Sequence, residues 1–280
     1  MKLITSAGNQ IYKKAAQLKQ KKYRDEQNRY LIEGPNLIRE AYQNGGDIEM
    51  IVQSDDFHSD DIFNGFRGDG ALNREFIPVK SNAPMAVMSS GLFRKLSDTE
   101  SPQGILAIVK KRIYTEEEFF SPETAASNLI VLDRLQDPGN IGTILRTADA
   151  AGFRGAILLK GTTDIYSPKI VRAAAGSLFR LPVLTADTPD QVIGLLKKYG
   201  KRIICTAPDS GKNYYDIDMS EDAAVIIGNE GNGACDEFLV KSEFLVKIPM
   251  EGTIGSLNAA VSAGILMYES VRQRYRKKII

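Results

Sequence analysis

The chain has 280 residues, 43% of them apolar and 25% charged, a composition that excludes wholesale disorder and leaves room for two domains of ordinary size. No apolar run approaches the ~18 residues that a membrane span needs, and the N-terminal segment has no continuous apolar stretch typical of a signal peptide. The two cysteines, Cys205 and Cys235, fit no metal-binding spacing, so we expect a reduced, cytoplasmic setting and no metal. The single histidine, His58, lies in an acidic segment typical of a surface loop, which argues against Ser-His-Asp and two-histidine metal chemistry.

The net charge of +1 hides a strong segregation of charge along the chain. The first 24 residues hold seven basic residues and no acid, the last nine hold five and no acid, and the stretch from Asp47 to Asp69 carries seven acids against one base. Such segregation creates the local positive field that a polyanion-binding surface needs, although two solvated helix faces give the same pattern. The basic residues near the N-terminus that we expect to contact RNA are Lys13, Lys14, Lys19, Lys21, Lys22 and Arg24.

The first predicted element is a basic amphipathic helix over residues 9–24, with Ile11, Ala15 and Leu18 on one side. Strand-like runs follow at residues 30–34, 48–54, 76–80 and 104–110, and a helix that starts at Pro35 lies between the first two. These elements predict a small α/β domain over residues 1–110.

Residues 111–127 are predicted to form a linker, because they lack the apolar periodicity of the flanking segments and contain an acidic run and a proline. Residues 128–280 then show strand-like runs at 128–133, 155–160, 202–207, 224–228 and 244–249, and helical patterns at 141–151, 169–179, 189–199 and 256–276. Strands that are apolar throughout and alternate with helices predict a parallel sheet covered on both faces. The fold class is therefore α/β, with a second, smaller α/β domain at the N-terminus.

The segment after the first of these strands, DRLQDPGNIGTILRTADAAGF, predicts a turn at residues 137–140 and a helix that starts near Asn140. Arg146 falls off the apolar stripe of this helix. A helix N-terminus together with an arginine can bind a phosphate. A surface ion pair between Arg146 and Asp149 explains the same residues equally well.

Two glycine-rich loops near the C-terminus follow apolar runs. The loop GNEGNG, Gly228 to Gly233, has neither the Rossmann spacing nor the lysine of a P-loop, and it is also compatible with a simple tight turn. The loop IPMEGTIGSLN, Ile248 to Asn258, offers apolar side chains, open backbone and polar groups before a helix. Its Ser256 would also serve as the N-cap of that helix.

Taken in order, these segments resemble the three motifs of the SpoU (TrmH-type) RNA ribose 2'-O-methyltransferases of the SPOUT superfamily. The resemblance rests on Asn140 and Arg146 with five residues between them, on IIGNEGNG, and on IPMEGTIGSLNAAVSAGILMYE. The segment at 164–176 resembles a further recurrent stretch of the family. The N-terminal segments ITSAGN, YLIEGPNLIREA and SDTESPQGILAIV resemble a substrate-binding domain that is similar to ribosomal protein L30e.

The resemblance implies S-adenosylmethionine as the cofactor and assigns residues to it. The expected cofactor-binding residues are Thr206, Ala207, Gly228, Asn229, Gly231, Ile248, Met250, Ser256, Leu257 and Asn258. The expected catalytic residues are Arg146, Asn140, Glu230, Ser256 and Asn258, and Arg172 joins the residues expected to bind RNA. Because an arginine stays protonated at neutral pH, Arg146 is expected to position an RNA phosphate and stabilise the developing alkoxide instead of acting as the base. Whether Glu230 or solvent takes the proton stays open.

The resemblance also implies a trefoil knot in the C-terminal sheet and a homodimer. An apolar stripe of Leu257, Val261, Ile265 and Tyr268 along the last helix suits such an interface, and packing of the stripe on its own sheet is the alternative. The expected substrate is 23S-type ribosomal RNA, with tRNA or a non-catalytic RNA-binding role as alternatives. A nucleotide-dependent oxidoreductase that uses GNEGNG is disfavoured, because the required acid would fall near the apolar Ile248.

Overall fold

The structure, a computed structural model, describes residues 3–57, 83–121 and 127–279. It divides into two compact units, the first formed by Met1–Arg112 with Tyr166–Arg172 and the second by Ile113–Ile165 with Ala173–Ile280. The predicted strand at 76–80 and His58 lie outside the described residues. The domain boundaries predicted at 110 and 128 stay predictions.

The first unit is built on a small mixed sheet. Its elements are α1 (Gln10–Gln17), α2 (Lys21–Gln27), β1 (Arg29–Glu33), α3 (Pro35–Gln43), β2 (Ile48–Ser54), β3 (Met85–Met88), α4 (Ser90–Leu96) and β4 (Ile105–Lys110). The strand order is β1-β4-β2-β3, with β4 antiparallel to both of its neighbours and β2 parallel to β3. Val52, Met88, Phe93 and Leu106 lie in its buried core.

The prediction of one basic helix over residues 9–24 is wrong, because the chain turns between α1 and α2. Leu18, fully buried, caps α1. The side chain of Arg24 is buried as well, and its Nη1 donates to the carbonyl oxygens of Leu18 (2.9 Å) and Lys19 (2.8 Å). Carbonyl groups at a helix end have no partner within the helix, so this buried guanidinium stabilises the turn. Arg24 is therefore not on the surface where RNA contact was expected.

The second unit is a parallel α/β sheet. Its elements are α5 (Glu116–Phe119), β5 (Leu129–Leu132), α6 (Pro138–Ala150), β6 (Gly155–Leu159), β7 (Val183–Ala186), α8 (Pro189–Lys198), β8 (Arg202–Thr206), β9 (Ala223–Ile227), α9 (Asp236–Lys241), β10 (Phe244–Val246) and α10 (Ala259–Ile279). Helix α7 (Pro168–Ala173) follows β6 in the chain, and most of its residues belong to the first unit. All six strands are parallel, in the order β10-β8-β9-β5-β6-β7, which confirms the predicted fold class.

Part of the predicted linker, residues 111–127, packs into the core of the second unit. Thr115 caps α5 in a capping box with Glu118. Phe119 is fully buried in the core, and the ring of Phe120 stacks on Tyr199 with the centroids 4.0 Å apart. This segment therefore has packed structure of its own.

The last helix, α10, buries one face and exposes another. Ala263, Leu266 and Met267 are buried, and α10 packs against α6. Val261 is 51% exposed and Tyr268 is 52% exposed. Of the stripe predicted from the sequence, Leu257, Val261 and Tyr268 are thus exposed, whereas Ile265 is partly buried. No helix within the described ranges has the length and apolar character needed to cross a lipid bilayer.

Candidate active site at the carboxyl edge of the parallel sheet

Four neighbouring strands, β10, β8, β9 and β5, end at one edge of the sheet of the second unit. The loops that follow them contain most of the residues predicted to bind the cofactor, together with the predicted catalytic residue Glu230. These loops are residues 133–137 after β5, 207–213 after β8, 228–235 after β9 and 247–258 after β10. Ligands of parallel α/β sheets bind at this edge, so the topology supports a site here.

Asn140, in the first turn of α6, joins the loops after β9 and β10 through its side-chain amide. Its Nδ2 donates to Oε1 of Glu230 over 3.2 Å, and its Oδ1 accepts from Nδ2 of Asn258 over 2.8 Å. Asn258 in turn accepts from the backbone N–H of Ala260 over 2.9 Å and so caps α10. The structure therefore brings together three of the predicted catalytic residues, and the prediction that Ser256 is the N-cap is wrong. Ser256 is exposed on the loop before the cap.

The carboxylate of Glu230 is held by backbone groups as well as by Asn140. Its Oε2 accepts from the N–H of Gln136 over 3.1 Å and its Oε1 from the N–H of Asp137 over 3.0 Å. Burial raises the pKa of Glu230, but these backbone hydrogen bonds and the Asn140 amide outweigh it, and the net pKa is lowered. Glu230 is therefore ionised at neutral pH and is a weak proton acceptor.

Two carboxylates lie at the N-terminus of α6, where the sequence analysis placed a possible phosphate site. The carboxylate of Asp137 accepts from the N–H of Asn140 over 2.8 Å, and Glu230 accepts from the N–H of Asp137 itself. These carboxylates disfavour a bound anion at this helix end, and the phosphate site stays a prediction. Arg146 lies eight residues beyond Pro138, which is about 12 Å along the helix at ~1.5 Å per residue.

Arg146 is exposed and has no hydrogen bond or ion pair to any residue that the structure describes. The alternative pairing with Asp149 is wrong, because Asp149 accepts from Nη2 of Arg180 over 2.8 Å. The guanidinium of Arg146 is therefore available to a substrate.

The GNEGNG loop is a tight turn that stabilises itself. Oδ1 of Asn229 accepts from the N–H groups of Gly231 (3.0 Å) and Asn232 (3.1 Å), and its Nδ2 donates to the carbonyl of Arg134 (2.8 Å). A Cβ at Gly228 would collide with the backbone of Ala234, so this glycine is required by the turn itself. A Cβ at Gly231 would have room.

Sequence reasoning missed Asp133, which directly follows β5. Its carboxylate is fully buried, accepts from Nε of Arg134 over 2.6 Å, and accepts from the N–H of Cys235 over 2.7 Å. It also missed Gln136, whose Nε2 donates to the carbonyl of Arg134 over 3.0 Å. An acid at the end of an otherwise apolar strand, LIVLD, was the available signal.

Three of the lysines predicted to bind RNA lie at the surface of the first unit. Lys13, Lys21 and Lys22 are exposed, and Lys22 faces Glu26 at 3.9 Å in a weak i,i+4 pair. Arg172 is partly buried and lines a small cavity of the first unit.

The other predicted RNA-binding residues are already paired. Lys14 forms an ion pair with Glu49, and Lys19 forms one with Asp98 at 2.8 Å. Arg24 is buried and bonded to backbone carbonyl groups. Lys14, Lys19 and Arg24 would therefore have to give up contacts within the protein in order to bind RNA.

Comparison with known proteins agrees with this geometry. Residues 127–268 match the model of the SpoU rRNA Methylase family, and residues 9–107 match the MRM3-like substrate binding domain. The chain belongs to the SpoU rRNA methylase family.

This SpoU protein matches two named 23S rRNA methyltransferases over nearly their whole length. It is 35% identical to the 23S rRNA (guanosine(2553)-2'-O)-methyltransferase RlmP of Bacillus subtilis, covering 96% of this chain and 98% of the relative. It is 29% identical to the 23S rRNA (uridine(2479)-2'-O)-methyltransferase of Streptomyces viridochromogenes, covering 97% and 92%. The crystal structure of an AdoMet-bound rRNA methyltransferase from Sinorhizobium meliloti superposes with a TM-score of 0.82 at 30% identity, covering 97% of each chain.

This SpoU protein is therefore an S-adenosylmethionine-dependent RNA ribose-2'-O-methyltransferase, as the sequence predicted. The oxidoreductase alternative is wrong, and so is the alternative of a non-catalytic RNA-binding protein. Among the residues described, no three His, Cys, Asp or Glu side chains lie close enough to share a metal ion. The trefoil knot stays an expectation drawn from the resemblance.

The loop from Ile248 to Asn258 fits the expected cofactor. Ile254 is 71% exposed and Leu257 is 38% exposed, so the loop leaves apolar side chains without protein cover. At Gly252 and Gly255 a Cβ would meet nothing, so the backbone there is open. Exposed apolar groups beside open backbone suit a ligand with a flat base and a thioether-like chain.

Proposed function

We propose that this SpoU protein methylates a ribose 2'-hydroxyl in 23S-type ribosomal RNA. The observation that carries the proposal is the match of 96% of the chain to a relative named as a 23S rRNA enzyme, which spans both units. The relative from Streptomyces viridochromogenes is also named for 23S rRNA. The alternative substrate is tRNA, and the experiment must distinguish it from 23S rRNA.

Arg146 is proposed to bind the RNA and to stabilise charge on the attacking oxygen. It is exposed and unpaired within the described chain, whereas Asp149 on the same helix is paired with Arg180. A planar guanidinium offers five N–H donors and stays protonated, so it suits a phosphate and a developing alkoxide better than proton transfer.

Asn140, Glu230 and Asn258 are proposed to act as positioning residues. Their amide and carboxylate groups tie the loops after β5, β9 and β10 to one another. Since the carboxylate of Glu230 already accepts three N–H groups, we propose that the proton of the 2'-hydroxyl passes to solvent and not to Glu230. Ser256, exposed beside the cap, is proposed to contact the cofactor or the ribose.

The cofactor site is proposed to be formed by the ends of three adjacent strands. S-adenosylmethionine supplies a methyl group on a sulfonium sulfur that leaves as a neutral thioether, so the transfer needs no metal. The residues proposed to hold it are Thr206, Ala207, Gly228, Asn229, Gly231, Ile248, Met250, Ser256, Leu257 and Asn258. Because the N–H of Ala207 already donates to the carbonyl of Val246 over 2.9 Å, Ala207 is expected to contribute through its carbonyl or methyl group.

The first unit is proposed to bind the RNA, and α10 is proposed to form a homodimer. The exposed lysines of α1 and α2 suit the first role, and the matched substrate-binding domain covers them. The exposed Val261 and Tyr268 suit the second. Since ribosomal RNA is assembled in the cytoplasm of bacteria, we place the enzyme there.

The test is methyl transfer from tritium-labelled S-adenosylmethionine to separated 23S rRNA, 16S rRNA and tRNA from a strain that lacks the gene. Label in 23S rRNA, recovered after digestion as a 2'-O-methylnucleoside, is the expected result. Label confined to tRNA or to 16S rRNA would contradict the proposal.

A further inference from the structure

Arg134, which sequence reasoning did not assign to any function, has an unusual backbone at the edge of the active site. Its φ is 57°, in the left-handed region that a side chain as large as arginine rarely adopts. Its carbonyl oxygen accepts from Nδ2 of Asn229 over 2.8 Å and from Nε2 of Gln136 over 3.0 Å. Backbone strain of this kind persists only where surrounding contacts impose it, and it is concentrated at functional sites.

The side chain of Arg134 is fixed in one orientation. Nε donates to Oδ1 of Asp133 over 2.6 Å and Nη2 to Oδ2 over 3.2 Å, so one side of the guanidinium is tied to a carboxylate that is fully buried. The stem lies over Gly161, where a Cβ would approach Cγ of Arg134 to 3.2 Å. Gly161 thus leaves the space in which the arginine stem lies.

The other side of the guanidinium is free. Five N–H groups are available on an arginine, and Asp133 uses two of them. The remaining three, on Nη1 and Nη2, have no acceptor among the described residues, and the side chain is 40% exposed. Nη1 and Nη2 together form the end of the fork that matches two oxygens of a phosphate.

We propose that Arg134 binds a backbone phosphate of the RNA substrate next to the target nucleotide. Asp133 orients the guanidinium, and the free end of the fork receives the phosphate with little further loss of side-chain freedom. The loop from Arg134 to Gln136 also donates to Glu230 through the Gln136 N–H, and Glu230 in turn accepts from the side chain of Asn140, so hydrogen bonds connect the proposed phosphate contact to Asn140. This inference rests on RNA being the substrate and is independent of which RNA it is.

A purely structural role, in which Arg134 only neutralises Asp133, makes a different prediction. In that case replacing both residues by neutral isosteres would restore function, because no buried charge would be left unpaired. In the RNA-binding role the same double variant would regain stability but not RNA affinity.

The experiment uses the full-length protein, labelled S-adenosylmethionine and total RNA from a strain that lacks the gene. We expect Arg134→Gln to raise KM for RNA roughly tenfold, with kcat changed less than about threefold and cofactor affinity in calorimetry changed less than about twofold. Arg134→Lys keeps a cation against Asp133 and so should fold, but it loses the forked end, and we expect a severalfold higher KM. Asp133→Asn with Arg134→Gln should recover the melting temperature while KM stays high.

Arg202→Gln is the matched control. Arg202 begins β8 at the opposite, amino edge of the sheet, and its substitution should leave KM for RNA unchanged. The proposal is overturned if Arg134→Lys and Arg134→Gln keep the wild-type KM, or if the double variant recovers it. Fractionation of the labelled RNA separates this result from the proposed substrate, because KM is measured on whichever RNA accepts the methyl group.

Discussion

The side-chain amide of Asn258 donates to the amide oxygen of Asn140 over 2.8 Å, although 118 residues separate them in the chain. Asn258 caps the last helix, and Asn140 lies in the first turn of α6. The same Asn140 amide donates to Glu230. One side chain thus fixes the relative positions of the loops proposed to hold the cofactor and the reacting ribose.

Asn140→Ala should lower kcat/KM by about 100-fold, equivalent to about 2.7 kcal/mol of transition-state stabilisation, because it disconnects Asn258 from Glu230. Affinity for S-adenosylmethionine should fall as well, since the loop before α10 loses an anchor. Thr143→Ala, an exposed position on the same helix, is the control. A wild-type value of kcat/KM in Asn140→Ala would show that the contacts of Asn140 with Glu230 and Asn258 have no role in catalysis.

Arg146→Ala should abolish methyl transfer while cofactor affinity stays within a few-fold, because Arg146 lies outside the loops proposed to bind the cofactor. Arg146→Lys should remain strongly impaired, since an ammonium does not reproduce the fork. Arg180→Ala removes another arginine of the second unit that already pairs with Asp149, and it should keep most activity. Near-full activity of Arg146→Lys would mean that a simple positive charge suffices.

Glu230→Gln should lower the melting temperature at pH 7. The folded-state pKa of Glu230 lies below the ordinary value of about 4.3, so its ionised form stabilises the fold above that pH, and this contribution is lost as the pH falls toward the folded-state pKa. The difference in melting temperature between wild type and variant should therefore shrink as the pH is lowered from about 5 to 3. Glu243→Gln, whose exposed side chain has no hydrogen bond within the described chain, is the control. A difference that grows on acidification would show that the ionised carboxylate of Glu230 does not stabilise the fold.

Val261→Glu combined with Tyr268→Glu should convert a dimer into a monomer in sedimentation velocity, and the monomer should lose methyl transfer. Both side chains are about half exposed on the open face of α10, at 51% and 52%. Val240→Glu alters a side chain that is 80% exposed on α9 and should leave the dimer intact. A monomeric wild type, or a dimeric double variant, would rule out this interface.

Changing Lys13, Lys21 and Lys22 together to Gln should weaken RNA binding. It should also reduce the slope of log Kd against log salt concentration by up to about three units. Each neutralised phosphate contact releases about one counterion. The matched control changes Lys197, Lys198 and Lys241 of the second unit, and calorimetry with S-adenosylmethionine should show no change for either set. An unaltered salt dependence would show that the lysines of α1 and α2 only face solvent.

The sequence was sufficient for the parallel sheet and for most of its strands. Buried runs such as Leu129–Leu132 and Gly155–Leu159 have no polar residue, and the alternating helices leave few other arrangements. The short edge strand Val183–Ala186 was missed, because its partly exposed residues carry neither a buried nor a cleanly alternating pattern. The kind of residue at the site was also predictable, because the polar residues of the two glycine-rich loops lie at the carboxyl edge of the parallel sheet.

The partners of those residues were not predictable, because they come from distant parts of the chain. The helix start near Asn140 has the sequence pattern of a phosphate site, but in the fold the carboxylate of Glu230, from the loop after β9, lies against the N–H of Asp137 there. Ser256 and Asn258 are both good N-cap residues, and the fold uses Asn258, whose side chain also donates to Asn140. The sequence pattern places Arg24 on a basic surface, but its side chain is buried and donates to carbonyl oxygens at the end of α1.

The most direct test of the central claim is a map of ribose methylation across all cellular RNA, in a deletion strain complemented with the wild-type protein or with Arg146→Ala. We expect one 2'-O-methyl group in 23S rRNA to be lost on deletion, to return with the wild-type protein and to stay absent with the variant. An unchanged 23S rRNA map, with a methyl group lost from tRNA or from no RNA at all, would contradict it.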